Sequence, residues 1–303
     1  GARHSQESGQ FFCADAQVKY RLVQQCADQH PVRDVCDFLG VSRSGYYKWL
    51  DGKPGKRAYE DAKLERILEA EFENNRKAYG ARRLRERLRR LGRKHGRRRI
   101  RRLMAKKGLN ARKKRRFVLT TVADPAKRPA SNELNRNFAA SGPNQKWASD
   151  ITQIPTSEGD LYLAVTMDLW SRMIVGWSIR ETMEEKLVHE AFDMAVLRRA
   201  PNAGFLHHSD RGSQYTSNGF RSKLRDNEVI ESNSRKGNVW DNAVLESFFS
   251  SLEVELLQKM RFETKAKAIQ EVFIYIEVFY NRNRAHSTMG NLSQTEFEAD
   301  GGN

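Results

Sequence analysis

Apolar residues recur every three or four positions through the first third of the chain, and every second position or in short unbroken runs through its middle. The first spacing lines one face of a helix; the second belongs to strands. Val32, Val35, Cys36 and Leu39 mark a short helix, Gly40-Val41 turns the chain, and Ser42 can cap a second helix from Arg43 to Leu50. Helix, glycine turn and capped helix match a helix-turn-helix, with Arg43, Ser44, Tyr46, Tyr47 and Lys48 on the groove-facing helix. The alternative is a plain helical hairpin whose tyrosines pack in its core. Residues 58–72 form an amphipathic helix with Leu64, Ile67, Leu68 and Phe72 inward. Two arginine-loaded helices follow, at 80–91 (Leu84, Leu88, Leu91) and 96–108 (Ile100, Leu103, Met104). The break from Gly92 to Gly96 makes them a second helix-turn-helix.

Residues 120–143, with Pro125, Pro129, Gly142 and Pro143, read as a linker. Lys146 to Pro155, Asp160 to Asp168 and Met173 to Ile179 are predicted strands, and their short connections imply an antiparallel meander. Helices are then predicted at Glu184 to Arg199, Ser217 to Asp226 and Trp240 to Met260, and strands at Gly204 to His207 and Val229 to Glu231. Three strands followed by alternating helix and strand give an α/β fold, a mixed sheet covered by helices. A last amphipathic helix at 264–280 leads into a basic tail with Arg282, Arg284 and His286. The expected division is 1–57, a helix-turn-helix region; 58–119, an arginine-rich helical domain; 120–143, the linker; 144–262, the α/β core; and 263–303, a helix and basic tail.

Composition sharpens this picture mainly through charge. The 303 residues suffice for two or three domains, and 30% of them are charged. No apolar run approaches the roughly 20 residues of a membrane helix. Net charge is +16, yet residues 82–116 alone hold 20 Lys or Arg against the single acid Glu86, so the remainder is close to neutral. Arginines this dense repel one another unless phosphates neutralise them, which marks Arg82, Arg83, Arg97, Arg98, Arg99, Arg101 and Arg102 as candidate DNA contacts. Cys13, Cys26 and Cys36 are too few and too scattered for a disulfide framework or a CxxC zinc site, and read as small apolar residues in a reducing cytoplasm. The start, Gly1 to Gly9, lacks an initiator methionine and a signal segment, and reads as an added remnant or a junction to upstream sequence.

The candidate chemistry is acidic. In His207-His208-Ser209-Asp210-Arg211-Gly212, Asp210 stands where a short apolar run gives way to a glycine turn. Asp150 closes the run Trp147-Ala148-Ser149, and Glu246 lies on the polar flank of a helix whose stripe is Val244, Leu245, Phe248, Phe249, Leu252 and Leu256. If the first and fourth strands are neighbours, these three carboxylates meet and can hold hard divalent cations for phosphoryl transfer. Neither a GxSxG elbow nor a P-loop is present. Asp168 could pair with Asp150 across the meander. His207 and His208 point opposite ways on a strand, so one packs and His208 could approach the site. Lys236, Asn238 and Trp240 sit in a loop suited to gripping DNA, and Asp241 and Asn242 most simply cap the helix that follows.

Several motifs in order resemble a known family. Cys36-Asp37-Phe38-Leu39-Gly40-Val41-Ser42-Arg43-Ser44-Gly45-Tyr46-Tyr47-Lys48-Trp49, Tyr79-Gly80-Ala81-Arg82-Arg83 and Asn144-Gln145-Lys146-Trp147 with Asp150-Ile151-Thr152 carry the likeness. So do His208-Ser209-Asp210-Arg211-Gly212-Ser213-Gln214-Tyr215, Ser234 through Phe249, and Tyr280-Asn281 with Arg284 and His286. From about residue 17 the chain resembles the second-frame product (OrfB) of transposases in the insertion-sequence family founded by insertion sequence three. The resemblance implies an RNase H-like core preceded by all-α DNA-binding domains, with Asp150, Asp210 and Glu246 as DDE residues on two Mg²⁺ ions, Mn²⁺ substituting. It further implies cleavage at the ends of an element, transfer of a 3′-OH, and a circular intermediate. Arg211 joins the expected DNA contacts. The expected partners are double-stranded DNA, further copies of the chain, and an upstream OrfA-type protein or fused segment, in a bacterial cytoplasm on the nucleoid.

Two positions depart from the family pattern: Glu253 stands where a lysine is usual, and Gln294 where a proline is usual. A lysine at 253 would meet DNA phosphate, whereas Glu253 would repel it or offer another acid. A DNA-binding regulator with an inactive core, and a nuclease that hydrolyses without strand transfer, are the rival readings.

Overall fold

The structure, a computed structural model, describes residues 15–52, 55–111, 129–236 and 238–302. Cys13, the basic run 112–116 and the linker as far as residue 128 lie outside them. The chain divides into two compact units, Gly1–Ile67 and Leu68–Asn303.

In the first unit, α1 (Ala16–Cys26), α2 (Val32–Leu39) and α3 (Arg43–Leu50) surround Val23, Cys36, Leu39 and Tyr46. Gly40 adopts φ 63°, a left-handed value that costs a glycine nothing, and Val41 N donates to Cys36 O at 3.0 Å to close α2. Ser42 caps α3 by accepting from Gly45 N at 3.1 Å. One expectation needs correction. Tyr46 is 3% exposed, with its ring 6.2 Å from Trp49 and 6.4 Å from Tyr20, so it builds the core and cannot reach a groove. Cys36 is buried as expected, but Cys26 is only partly so. Helix α4 (Lys56–Asn74) includes the boundary between the units.

The second unit holds the arginine-rich helices α5 (Ala81–Arg90) and α6 (Arg97–Lys106) together with the sheet. Leu84, Leu88, Ile100, Leu103 and Met104 are buried as their spacing predicts. Leu91 is exposed instead, because α5 has ended by then and Gly92 turns the chain at φ 74°. Part of the arginine excess is neutralised inside the protein. Arg87 pairs with Glu71 at 3.0 Å, and Arg90 donates to Asn291 O at 2.9 Å and to Glu296 at 2.6 Å. Arg83 lies 3.9 Å from the buried Glu255, which also receives Arg284 Nε at 2.9 Å and the Tyr275 hydroxyl at 2.9 Å. Removing either member of such a buried pair typically costs about 3–5 kcal/mol.

The sheet comprises β1 (Lys146–Ile154), β2 (Leu161–Asp168), β3 (Ile174–Arg180), β4 (Leu206–Ser209) and β5 (Ile230–Asn233), in the order β3-β2-β1-β4-β5. The first three strands form the antiparallel meander, and β4 and β5 add in parallel. This is the mixed, RNase H-like sheet that was expected. Side chains on β1 alternate between two cores. Trp147 and Ile151 face α7 (Glu185–Arg199) and α8 (Asn218–Asp226), packing on Leu187, Phe192 and Phe220. Ala148 and Ile154 face α9 (Ala243–Leu252) and the C-terminal helix that begins with α10 (Lys265–Phe273). The predicted helix from Trp240 to Met260 is compound: a 3₁₀ turn at Val239–Asn242, α9, then a π-turn at Glu253–Leu257. Glu255 and Leu256 of this π-turn are both buried.

His207 and His208 are both buried. His207 Nε2 lies 2.8 Å from Ser149 Oγ, and His208 bonds Ser232 and Ser234 through its two nitrogens. Burial pushes His207 down to about 3 and His208 down to about 4, so both are neutral core groups. The unfolded chain, titrating near pH 6.5, binds their protons first, so their stabilisation is complete above that pH and declines as pH falls toward 3–4. The unfolding free energy of His207→Gln is expected to fall less steeply than that of the parent between pH 6 and 4, by about 1.4 kcal/mol per pH unit; equal slopes in denaturant titrations would refute this. A second test concerns Gly176 on β3, where an added Cβ would collide with the Ala191 carbonyl and lie 2.7 Å from Ala195 N of α7. Gly176→Ala should cost about 1–3 kcal/mol in the same measurement.

Candidate active site

The parallel register Ser149↔Ser209 makes Asp150 and Asp210 neighbours at the point where the β1–β4 ladder ends. Each acid is anchored by what precedes or follows it. Ser149 Oγ lies 2.9 Å from Thr166 Oγ1 and is bound by His207, which fixes β1 just before Asp150. Asp210 Oδ1 accepts from Gly212 N at 2.9 Å, and Ser209 O accepts from Ser234 N at 3.0 Å. On β1, Asp150 shares the parity of Ala148 and Ile154, so it points to the face that α9 covers. The buried Leu245, Phe248, Phe249 and Leu252 seat that helix, leaving Glu246 half-buried in its first turn.

Asp150 Oδ2 accepts from Asn242 Nδ2 at 2.9 Å, and Oδ1 from Ile151 N at 2.8 Å. Burial and the charge of Asp210 push the Asp150 carboxyl well above the usual carboxylate range; the Ile151 N–H offsets this, Glu246 adds to it, and Asn242 offsets it. Both other acids therefore lie close enough to act on Asp150, and no cation stands among its main influences. The donor set, three carboxylates without cysteine or histidine, suits a hard divalent cation. Asn242 Oδ1, buried without a hydrogen-bond partner, adds a polar atom beside the same acid. Yet among the described residues no three His, Cys, Asp or Glu side chains are gathered tightly enough to hold a metal as they stand. Protein donors occupy the Asp150 oxygens instead, and ion binding would have to displace them or draw the carboxylates together.

Asp168 is not part of this cluster. It pairs in register with Trp147, three residues before Asp150, and accepts from Asn144 N at 2.9 Å, Trp170 N at 3.0 Å and Arg199 at 3.3 Å. Its carboxylate stabilises a turn.

Two residues read as helix caps have other roles. Asp241, fully buried, accepts from Arg235 N, Nε and Nη2, from Arg136 Nε and from Asn132 Nδ2, at 2.8–2.9 Å. Together these bonds hold its carboxylate far below the usual range, the Arg235 side chain foremost. Asn242 makes no side-chain cap and instead holds Asp150. An Asp-Asn pair ahead of a helix reads as a capping signal in any sequence, and its actual partners lie far off along the chain.

The expected DNA contacts divide. Arg43, Ser44, Tyr47 and Lys48 on α3 are exposed, as are Arg82, Arg97, Arg98, Arg101 and Arg102 on α5 and α6. Arg83 is turned toward Glu255 and Tyr79, and Arg99 is half-buried. Arg211 donates to Ser234 O at 2.6 Å, tying the Asp210 turn to the next loop. In that loop Lys236 is exposed, Asn238 is half-exposed, and Trp240 is 71% exposed. Glu253 is half-exposed at the start of the π-turn, and Gln294 is buried at the start of α11 (Gln294–Ala299).

Comparison with known proteins agrees with this architecture. Residues 140–239 and 246–300 each match an integrase core domain family, and residues 58–117 match an HTH-like domain. The chain is 41% identical to the insertion element IS600 uncharacterized 31 kDa protein of Shigella sonnei, a match covering 87% of this chain and 97% of that protein. It is 37% identical to the transposase InsF for insertion sequence IS3A of Escherichia coli (strain K12), covering 93% and 98%. Among solved structures, the HTLV-2 integrase catalytic core domain in complex with magnesium, in its trimeric form, aligns with a TM-score of 0.40 at 16% identity, covering 51% of this chain and 96% of that one. The extent of the IS600 and IS3A matches decides the matter: this chain belongs to the IS3 family of insertion-sequence transposases, with an HTH-like domain and an integrase core.

Proposed function

We propose that Asp150, Asp210 and Glu246 are the catalytic residues of this transposase, and that they hold two Mg²⁺ ions, with Mn²⁺ able to substitute. The observation that carries this reading is the parallel β1–β4 register, which makes the two aspartates neighbours on the side where α9 presents Glu246. When bound, such ions supply Lewis-acid activation of an attacking hydroxyl and neutralise charge on the leaving oxygen. The chain's own part is to position. The carboxylates fix the ions, Asn242 and the Asp241 clamp hold the α9 side of the site, and the exposed Lys236 and Trp240 meet the DNA beside it.

The reaction is hydrolysis of a strand at the end of an insertion sequence, which leaves a 3′-OH; that hydroxyl then attacks a second phosphodiester in line, its new P–O bond forming as the bond to the displaced 3′-oxygen breaks, through a circular intermediate. Double-stranded DNA is bound by Arg43, Ser44, Tyr47 and Lys48 of the first helix-turn-helix, by the exposed arginines of α5 and α6, and by Arg211 and Asn238 near the site. The working division follows the expected segments: 1–57 and 58–119 for binding, 120–143 as linker, 144–262 for chemistry and 263–303 as support. Because two ends are handled together, the active form is a dimer or larger assembly on DNA, with an upstream OrfA-type partner or fused segment. Among the described residues no helix is long and apolar enough to cross a membrane, and the proposed setting is the bacterial cytoplasm, on the nucleoid.

Incubation with a duplex carrying an element end and Mg²⁺ tests the chemistry. Joined products longer than the substrate are expected; shortened fragments alone would identify a nuclease, and binding without any product a regulator. Glu246→Gln should keep DNA affinity and lose cleavage by several orders of magnitude, and unchanged turnover would remove Glu246 from the assignment. Replacing Arg97, Arg98, Arg101 and Arg102 by alanine should weaken binding and flatten its salt dependence by about 0.9 in log–log slope for each phosphate no longer neutralised. An unaltered slope would give these arginines another role.

A further inference from the structure

The tail from Tyr280 onward takes no part in the proposed chemistry. Asn281 Oδ1 accepts from Ile174 N and Asn281 Nδ2 donates to Ile174 O, both at 3.0 Å, which pins the tail to the start of β3. Arg172, two residues before that anchor, sits in the turn between β2 and β3 at φ 58°, where glycine or asparagine fits with less strain. Between this turn, the tail and α9 lies a cavity of about 200 Å³, lined in part by Arg172, Ser247, Ser251, Tyr280, His286 and Thr288.

Positive charge around this cavity is only partly balanced. Arg284 donates to Glu255 at 2.9 Å and to Ser251 Oγ at 2.9 Å, and its guanidinium lies 5.6 Å from the centre of the Tyr280 ring. Arg83 is 3.9 Å from the same Glu255, and Asp168 is taken up by Arg199. Among the described residues no carboxylate forms an ion pair with Arg172, and its Nη1 is buried without a hydrogen-bond partner. Burial, then the charges of Arg284, Arg172 and Arg83, push His286 down to about 4, so the imidazole is neutral and the three guanidinium groups set the field.

We infer that this cavity is a seat for a phosphate group, bound by the Arg172 guanidinium and the hydroxyls around it, and that the occupant is a backbone phosphate of the DNA. Occupancy by DNA rests on the DNA-binding function proposed above; the seat itself rests on the cavity and its charge. A guanidinium among hydroxyls suits a tetrahedral oxyanion, which offers several acceptor oxygens at once. The volume falls below the roughly 300–1,000 Å³ of pockets that enclose drug-sized ligands, so it suits a single phosphate. Ser247 follows Glu246 on α9, and a helix with its side chains is about 10–12 Å across, so a strand engaged at Glu246 passes within reach of the cavity.

The test is equilibrium dialysis of the full chain against labelled inorganic phosphate at fixed ionic strength, with thermal unfolding in phosphate-free buffer and salt-dependent titrations of an element-end duplex. Arg172→Met should bind phosphate about 10–100-fold more weakly than the parent, and Arg172→Lys, which keeps the charge but not the fork, should lose less. Without phosphate, Arg172→Met should unfold at the parental temperature or above, because it removes a desolvated charge that has no partner. On DNA it should lower the log–log salt slope by about 0.9, one phosphate. Parental phosphate binding in Arg172→Met overturns the inference, and a clearly lower unfolding temperature does so too by giving the arginine a structural role. If phosphate binding is lost while duplex affinity and salt slope stay parental, the DNA backbone is ruled out as the occupant and the seat takes free phosphate. If the parent binds no duplex, the DNA-binding function fails, and phosphate dialysis still decides on the seat.

Discussion

Crowding of like charge at the ends of two parallel strands is the constraint around which the larger unit is built. Two carboxylates about 5 Å apart, the spacing of neighbouring strands, repel by on the order of 3 kcal/mol at an effective dielectric near 20. Pairing Ser149 with Ser209 accepts that cost, and Glu246 adds to it. The offset comes from apolar burial on both faces of the sheet: Trp147, Ile151 and Phe192 on one side, Val165, Phe248 and Tyr275 on the other. Local donors then absorb part of the charge, Ile151 N and Asn242 on Asp150 and Gly212 N on Asp210. The site is thus a destabilised spot on a well-packed frame, as expected where perturbed acids serve chemistry.

Arginine has two separate uses in the chain. Arg87, Arg90, Arg199 and Arg284 each find a carboxylate within the folded unit, so their charge is neutralised internally. Arg82, Arg97, Arg98, Arg101 and Arg102 remain on the exposed sides of α5 and α6. A count of basic residues merges the two sets. The difference is three-dimensional: Glu71 and Glu296 reach α5 only through packing that brings distant segments together.

The sheet was legible because its first three strands are short, largely apolar runs joined by short connections. The neighbour relation between Asp150 and Asp210 followed from the handedness of the crossover through α7, a rule that needs no side-chain detail. Other features had no local signature. Tyr46 and Tyr47 are adjacent and chemically identical, yet one is core and the other surface, because only Tyr46 falls on the stripe facing Val23 and Cys36. Glu255, buried in the π-turn, is partnered by Arg284 and Tyr275 from further along the chain, and no local spacing names those partners. Asp168 looked like a partner for Asp150 until the register set it opposite Trp147.

The loop before α9 shows how these separate solutions combine. Asp241 is fully buried and takes five hydrogen bonds, while Trp240, one residue earlier, is largely exposed. The buried carboxylate is held by arginines from two segments: Arg235 within the loop and Arg136 from the segment preceding β1. Asn242 is the next residue and touches Asp150, so the clamp sets the loop that faces outward and the acid that faces inward through adjacent peptide units. On the proposed reading, a DNA strand meeting Trp240 or Lys236 would act on the same stretch of backbone that holds Asp150 through Asn242.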